Sequence, residues 1–549
     1  MEFKWKKTEN CFAEARTYEY ELPITGEELA ARLEGFEVKE NHRFRRPVFS
    51  AKKGALEVKG ILKEKVVKIN YTAENWEEEK NRMEAWMKNQ EIYMEEKGES
   101  ICPVCLKVLP AKKAVREDGI YLVKECPEHG RFEALIWEGT PESYRDWGKH
   151  ILPPDRIPAA LPEKQGCPLD CGLCENHQRR GCCVLLEVTG RCNLQCPTCF
   201  AGSGPQGRDV PLEELKDQMQ YLMEHGGPFN LQISGGEPTV REDLEEILRF
   251  GKKLGFTFFQ LNTNGIRLAE EPGYAEKLKR AGLSCVFLQF DGLKDDPYQV
   301  LRGRPLLEIK KKAIDACEAA GLGVVLVPVI APGVNEDQAG EILFYARSRM
   351  PVVRGVHFQP VSYFGRCSEP KGSYRITIPK MLRLLEEQTE GWIHAGDFTG
   401  GGATNPYCTF QANYLRRKDG SMKLLAHGEP RTSGLSEQAR DFVARQWSGN
   451  GCGEEKTGES CCTEPPREEN CCCGEETGRL TLDTSSLDDF LREIHRNTLA
   501  VSGMLFQDAW NLELNRLRRC YILESDSRYG MVPFCIYNLT GSDGRALYR

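Results

Sequence analysis

The chain has 549 residues, of which 28% are charged and 40% hydrophobic, and its formal net charge at pH 7 is -8. An acidic balance gives no global basic footprint, so nucleic acid is not favoured as a partner. No stretch approaches the ~18 apolar residues of a membrane span, and Met1-Glu-Phe-Lys-Trp-Lys-Lys7 lacks an apolar h-region, so no transmembrane segment and a cytoplasmic location are expected.

A chain of this length is expected to form roughly two to four domains. Its 24 cysteines cluster at two- and three-residue spacings, which fits metal sites better than disulfides. Residues 1–97 hold none of these spacings. Arg16–Leu22 alternates like a strand, Gly26–Leu33 reads as a helix, Gly54–Tyr71 as one or two strands and Ala73–Glu96 as a helix. A small α+β domain without an assigned role, a docking or packing module, is expected here.

Residues 98–150 carry Cys102-Pro-Val-Cys105 and Cys126-Pro-Glu-His129, a C-x2-C-x20-C-x2-H pattern. Two ligand pairs at the tips of two knuckles make a zinc-ribbon or rubredoxin-like module in which Cys102, Cys105, Cys126 and His129 hold zinc or iron. A structural zinc staple and an electron-transfer iron both fit. After a Pro-rich connector, residues 160–183 contain Cys167, Cys171 and Cys174 in a C-x3-C-x2-C run, with Cys182 and Cys183 offering a fourth thiolate. Four protein ligands would close an auxiliary cluster, suited to passing electrons or anchoring substrate.

Residues 184–425 alternate strand and helix signals. Strands are expected at Val184–Val188, Asn230–Ser234, Phe256–Asn262, Cys285–Phe290, Gly323–Ile330 and Val352–Phe358. Helices are expected at Pro211–His225, Arg241–Leu254, Glu271–Ala281, Leu306–Ala320 and Glu336–Arg349. Six such units predict an α/β fold with a parallel sheet and functional loops at the strands' carboxyl ends. Distinctive residues fall there. After the first strand, Cys192, Cys196 and Cys199 can hold three irons of a [4Fe-4S] cluster and leave the fourth without a protein ligand. A zinc site would lack a fourth donor. Gly235-Gly236-Glu237-Pro238 follows the second strand, Asn262-Thr-Asn264-Gly265 the third, Asp291-Gly292 the fourth, Val329 and Ile330 the fifth, and Gln359-Pro360 the sixth. Cys285 and Cys317 read as small core residues, and His177 and His357 as hydrogen-bonded loop or core histidines.

The three-cysteine loop followed by Gly-Gly-Glu-Pro resembles the radical S-adenosylmethionine (radical SAM) superfamily. The resemblance implies a partial (β/α)6 TIM-type barrel that binds a [4Fe-4S] cluster and S-adenosylmethionine. Gly235, Gly236, Glu237, Pro238, Asn264, Asp291 and Gln359 would then contact the cofactor, Glu237 accepting from its ammonium and Asn264 or Asp291 approaching the ribose or the reaction centre. The implied activity is reductive cleavage to a 5'-deoxyadenosyl radical that attacks an unactivated carbon of a small-molecule, lipid or protein substrate, with ferredoxin or flavodoxin as reductant. Cys-Pro-x-Cys, Cys-Pro-Glu-His-Gly, Cys167-Pro-Leu-Asp-Cys-Gly-Leu-Cys174 and Val356-His-Phe-Gln-Pro-Val-Ser-Tyr-Phe-Gly-Arg366 resemble the group of archaeal tetraether-lipid synthases and methanopterin-modifying methylases. That group's pattern puts the fourth auxiliary ligand at Cys182 and implies C–C coupling or methylation of a lipid, a pterin or a partner protein. Two departures stand out: Thr198 occupies the place of an aromatic, leaving Phe200 to pack the adenine, and Ala403-Thr-Asn-Pro-Tyr-Cys408 keeps only the second of a paired-cysteine motif. The competing reading is a multi-cluster redox or maturation scaffold that binds the cofactor without turnover.

Residues 426–480 read as a Cys-rich flexible linker. In the C-terminal extension, 481–549, helices are expected at Leu487–Leu499 and Met504–Arg519 and a strand pair at Cys520–Leu523 and Val532–Thr540. The Phe534-Cys-Ile-Tyr-Asn-Leu539 segment resembles the tail of the radical SAM (seleno)protein family TrsS. With Cys408, Cys520 and Cys535 would contribute to a further cluster or remain two semi-buried thiols.

Overall fold

The computed structural model of the protein describes residues 1–8, 16–149, 162, 164–367, 375–400, 405–425, 435–448 and 493–549. It divides into two compact units, Met1–Lys97 with Lys112–Val123, and Gly98–Ala111 with Lys124–Arg549.

In the first unit, six antiparallel strands run in the spatial order Lys4–Lys7, Thr17–Glu21, Val66–Tyr71, Leu56–Ile61, Val48–Lys53 and Glu37–Asn41. Period-two alternation turns Tyr18, Tyr20, Phe49, Ala51, Val67 and Ile69 inward, where Leu29 of helix Gly26–Ala30 and Met83 and Met87 of helix Trp76–Lys88 cover them. A Thr25/Glu28 capping box starts the shorter helix. The long helix expected over Ala73–Glu96 stops at Lys88, and Ile92–Tyr93 pairs with Val115 and Ala114. A β-branched and an aromatic residue find a strand to pair with, and tertiary pairing overrides the helical signal.

The second unit is organised by parallel strands. These are β1 (Cys183–Thr189), β2 (Asn230–Gly235), β3 (Phe259–Thr263), β4 (Cys285–Gln289), β5 (Gly323–Val327) and β6 (Val353–Pro360), paired in that order. Their apolar runs are buried on both faces, as parallel strands require. Intervening helices include α1 (Leu212–Glu224), α2 (Leu244–Leu254), α3 (Tyr274–Ala281), α4 (Leu307–Ala319) and α5 (Ala339–Ser348). In α2, Leu244, Ile247, Leu248 and Gly251 form the buried stripe, and Gly255 in the left-handed conformation ends it.

The sheet does not stop at six strands. β7 (Thr409–Arg416) and β8 (Met422–Leu424) are antiparallel, and β9 (Thr498–Met504) lies between β7 and β6, parallel to β6. β10 (Ile522–Asp526) pairs parallel with the other edge, on β1, and carries the antiparallel β11 (Gly530–Pro533). Among the described residues, eight strands along this path are therefore parallel, two of them from the C-terminal segment, and the short strand Val329–Ile330 also pairs parallel with β6. Thr498–Met504 is a strand and not the end of one expected helix and the start of another, because Leu499 and Val501 have a sheet edge to complete. Of the helix expected over Met504–Arg519, Leu514–Leu517 is helical, and the second expected strand ends at Pro533, where Phe534–Tyr537 makes a helical turn. Helix α6 (Leu435–Trp447) lies within the stretch expected as linker, whereas the Cys-rich run from Cys452 to Cys473 lies outside the described residues. No helix among the described residues is long and apolar enough to cross a membrane.

Candidate active site

The loop after β1 is held by backbone bonds to segments distant in sequence. Cys192 N–H donates to Gly204 O (3.0 Å), and Cys199 and Arg366 exchange two backbone bonds (2.7 and 3.0 Å). The Arg366 guanidinium also donates to Cys196 O (2.7 Å) and Ser203 O (2.8 Å), so one side chain closes both ends of the loop. Gly365 (φ +52°) must be glycine because a Cβ there would run into the carbonyls of Cys199 and Phe200.

The Gly-Gly-Glu-Pro turn packs backbone to backbone on the same loop. Gly236 N–H donates to Thr189 O (2.7 Å) and Glu237 N–H to Arg191 O (2.8 Å). A Cβ on Gly236 would occupy the place of the Arg191 carbonyl. Glu237 is 1% exposed. Its Oε1 accepts from Thr239 N–H (3.1 Å), Thr239 Oγ1 (2.7 Å) and Thr263 Oγ1 (2.6 Å), and its Oε2 from Asn264 N–H (2.6 Å). The carboxylate thus ties the ends of β2 and β3 together. Asn264 extends the link, donating from Nδ2 to Asn193 Oδ1 in the cysteine loop (2.7 Å).

These residues open into a cavity of about 1190 Å³. Cys192, Cys196, Cys199, Gly235, Gly236, Glu237, Asn264 and Gln359 line its upper part, together with Thr198 and Phe200, and Phe200 lies 5.6 Å from the Phe534 ring. Deeper walls come from Gln232, Gln260, Asn262, Phe287 and His357, with Trp447 of α6 and Ser502 of β9. Burial pushes the Cys192 thiol up to about 12, helped by Glu237 and the neighbouring thiolates of Cys196 and Cys199. Cys192 and Cys196 are both raised, in part by the neighbouring thiols, and the donor set, the glycine cradle and the adjoining cavity fit a three-cysteine cluster with a chelating cofactor.

Asp291 does not line the cavity. It is 0% exposed, and both its oxygens bind Arg302 (2.8 and 2.9 Å), with Val329 N–H (3.1 Å) and the Gln289 amide as further donors. Arg302 stands on the cavity wall instead and bonds the Cys196 sulfur, opposing the burial that raises that thiol. Beneath it, fully buried Lys310 of α4 donates from Nζ to Asn264 O (2.6 Å) and Gln289 Oε1 (3.0 Å). Burial brings its pKa down to about 7. Pro238 is buried and starts a short helical turn after Glu237.

The ribbon residues meet closely: the ligand atoms of Cys102, Cys105, Cys126 and His129 lie within 4.8 Å of one another. Left-handed Leu106 (φ 60°) and Gly130 (φ 75°) turn the two knuckles. Burial opposes ionisation of Cys126, but the backbone N–H groups of Glu128 and His129 and the His129 ring outweigh it and bring the thiol down to about 6. The set fits a mononuclear zinc or iron.

Cys167 and Cys171 are free thiols that share a hydrogen bond and pack with Phe364, Phe534 and Tyr548, whose hydroxyl accepts from Cys171 N–H (2.9 Å). Cys174 acts on the Cys171 thiol and is buried. Cys182 packs against Cys183, Tyr521 and Ile522, with its N–H on Tyr521 O (3.3 Å). Cys408 Sγ accepts from Arg516 Nη2 (3.2 Å), Cys535 Sγ from Gln507 N–H (3.3 Å), and Cys520 Sγ donates to Ile522 O (3.2 Å). Burial raises the Cys520 thiol to about 12, and the charges of Cys408 and Cys182 add to it. His177 is bonded to Cys520 O (2.9 Å), while His357 shares a bond with Ser502 Oγ (2.9 Å).

Neither spacing nor motif marks Arg302, Lys310, Trp447 or Ser502, and Arg366 is marked only as the end of the Val356–Arg366 run. Charged residues on amphipathic helices read as solvent-facing until the fold turns them inward.

The chain is similar to known proteins in the same places. Residues 186–346 match the radical SAM superfamily and residues 94–138 the HMPTM N-terminal zinc ribbon domain. It is 36% identical over 481 residues to the 7,8-dihydro-6-hydroxymethylpterin dimethyltransferase of Methanocaldococcus jannaschii, covering 81% of this chain and 94% of that protein. To the GTP 3',8-cyclase of Paenarthrobacter nicotinovorans it is 30% identical, over 37% of this chain and 58% of that one. Streptococcus suis SuiB bound to S-adenosylmethionine overlaps 39% of this chain and 45% of its own, at 18% identity and a TM-score of 0.31. With its cysteine loop, its Gly-Gly-Glu-Pro turn and a relative matched over nearly that protein's whole length, this chain belongs to the radical SAM superfamily and is a radical SAM enzyme.

Proposed function

We propose that the protein is a radical SAM methylase acting on a pterin-type heterocycle. The observation that carries this reading is the similarity to a named pterin dimethyltransferase over 81% of this chain, together with the ribbon match at residues 94–138. A partial (β/α)6 barrel would surround the cavity, closed by the C-terminal strands.

A [4Fe-4S] cluster on Cys192, Cys196 and Cys199 with S-adenosylmethionine would supply an electron for sulfonium cleavage and a 5'-deoxyadenosyl radical able to remove hydrogen from carbon. The protein's residues position and shield. Gly235 and Gly236 keep side-chain bulk away from the loop, Glu237 and Pro238 set the turn, and Asn264 fixes Asn193. Asp291 holds Arg302 against Cys196. Gln359 and Phe200 offer an amide and a ring to the cofactor. Cys167, Cys171, Cys174 and Cys182 are proposed for an auxiliary cluster, Cys408, Cys520 and Cys535 for a further one, and Cys102, Cys105, Cys126 and His129 for zinc or iron. A ferredoxin or flavodoxin would deliver electrons, in the cytoplasm.

The test is anaerobic reconstitution with iron and sulfide, reduction by dithionite, and incubation with S-adenosylmethionine and 6-hydroxymethyl-7,8-dihydropterin. With a second S-adenosylmethionine as methyl donor, the parent is expected to form 5'-deoxyadenosine, S-adenosylhomocysteine and a methylated pterin, and the Cys192→Ala, Cys196→Ala, Cys199→Ala triple variant neither 5'-deoxyadenosine nor methylated pterin. Formation of 5'-deoxyadenosine with no methylated pterin would sink the substrate and leave radical initiation standing.

A further inference from the structure

His357 lines the same cavity as the cysteine loop. It lies two residues before Gln359 in β6, roughly 7 Å further down the strand at ~3.3 Å per residue. Phe287 stands likewise two residues before Gln289 in β4. Ser502 of β9 is the register partner of His357, and its hydroxyl shares a bond with His357 Nδ1 (2.9 Å). Burial brings the imidazole down to about 4, so it is neutral near pH 7. A neutral ring anchored at Nδ1 keeps Nε2 as its second polar atom, which has no hydrogen-bond partner among the described residues.

Three rings gather at this depth. The Phe287 and His357 centroids are 5.7 Å apart at 42°, Phe287 and Trp447 4.9 Å at 54°, and His357 and Trp447 6.4 Å at 64°. Another stretch of the wall is made of amides: Gln260 Nε2 donates to Asn262 Oδ1 (3.0 Å), and Asn262 Nδ2 to Gln232 Oε1 (3.4 Å). An acyl chain in this space would leave His357 Nε2 facing hydrocarbon without a partner, which opposes its binding. A flat ring with polar edges meets both walls, its face on aromatic carbon and its edge on nitrogen and oxygen.

We propose that Phe287, His357 and Trp447 form the seat of a planar nitrogen heterocycle, with His357 Nε2 bonding the ring's lactam or amino edge and Ser502 holding the imidazole in that orientation. His357 is a substrate-contacting residue, and Ser502 a positioning residue that acts through it. The substrate class rests on the methylase reading.

The test uses the full-length reconstituted protein under anaerobic conditions and measures dissociation constants for 6-hydroxymethyl-7,8-dihydropterin by equilibrium dialysis. Iron content and melting temperature serve as folding controls. His357→Phe is expected to weaken binding about tenfold to a hundredfold, the equivalent of one buried hydrogen bond to a polar group. His357→Gln, which restores an N–H, should recover part of the loss. Ser502→Ala should weaken binding by a smaller factor, about threefold to tenfold, and Ser502→Thr should rescue it. Parent-level binding by a folded His357→Phe variant would overturn the seat. So would a parent that ignores the pterin but binds a long-chain fatty acid independently of His357. Binding that depends on His357, with no methylated product formed, would keep the seat and defeat the methylase reading.

Discussion

The ribbon and the cysteine loop after β1 both gather thiols, and they do so by opposite means. The ribbon draws all four donors from two knuckles of one short stretch, and the ligand atoms lie within 4.8 Å of one another. Its backbone amides aim at sulfur and favour the thiolate at Cys126. The cysteine loop supplies three donors, keeps Cys192 up at about 12, and relies on Thr189, Arg191, Gly204 and Arg366 to hold its shape. A complete donor set can be local and self-sufficient. An incomplete one, left open towards a cavity, has to be held by the rest of the fold.

The largest expected effect falls where that outside support is tightest. Gly236→Ala would drive a Cβ into the Arg191 carbonyl, so the turn and the loop must separate. Activity should fall on the order of a hundredfold or more, matching ~3 kcal/mol of overpacking, with iron content at the loop dropping and the ribbon metal retained. Unchanged iron and activity would break the contrast. A smaller effect is expected for the ribbon on acidification. The Cys126 thiol is depressed from its ordinary 9.0 to about 6, so its stabilising ionisation is fully present above pH 9 and lost as pH falls through about 6. Metal release to a chromophoric chelator should therefore set in near pH 6, and a release midpoint near pH 9 would contradict the geometry. The smallest effect concerns Lys310. Its pKa is lowered from 10.5 to about 7, so the unfolded chain binds more protons between those values and stability rises with pH across them. Lys310→Met should flatten that rise in a series of denaturant titrations, and an unaltered slope would show that the ammonium is not where the fold has buried it.

Sequence patterns disclose the six central strands because each is an apolar run and the first five are each followed by an amphipathic helix. The loops bearing Cys192, Gly235 and Asn264 could be placed from strand order alone. What stayed hidden were contacts decided by tertiary structure. Thr498–Met504, with Ser502 and Gly503 reading as a break between two helices, becomes a strand because β6 has an open edge beside it. Asp291, expected near the cofactor, is consumed by Arg302, a residue whose place on the short helix Asp296–Arg302 gave no hint that it would face inward. Cys182 illustrates the same limit, since its spacing suits Cys167 to Cys174 while its packing partners are Cys183, Tyr521 and Ile522.

The C-terminal strands also bear on how the nascent chain survives. Until they arrive, the β1 and β6 flanks each present unpaired N–H and C=O groups along an apolar strand, the kind of template that recruits other chains. Both flanks are covered by residues 498–526, which follow the six central strands in the chain, so polypeptides interrupted before residue 498 should be aggregation-prone even with every cluster cysteine except Cys520 and Cys535 already made.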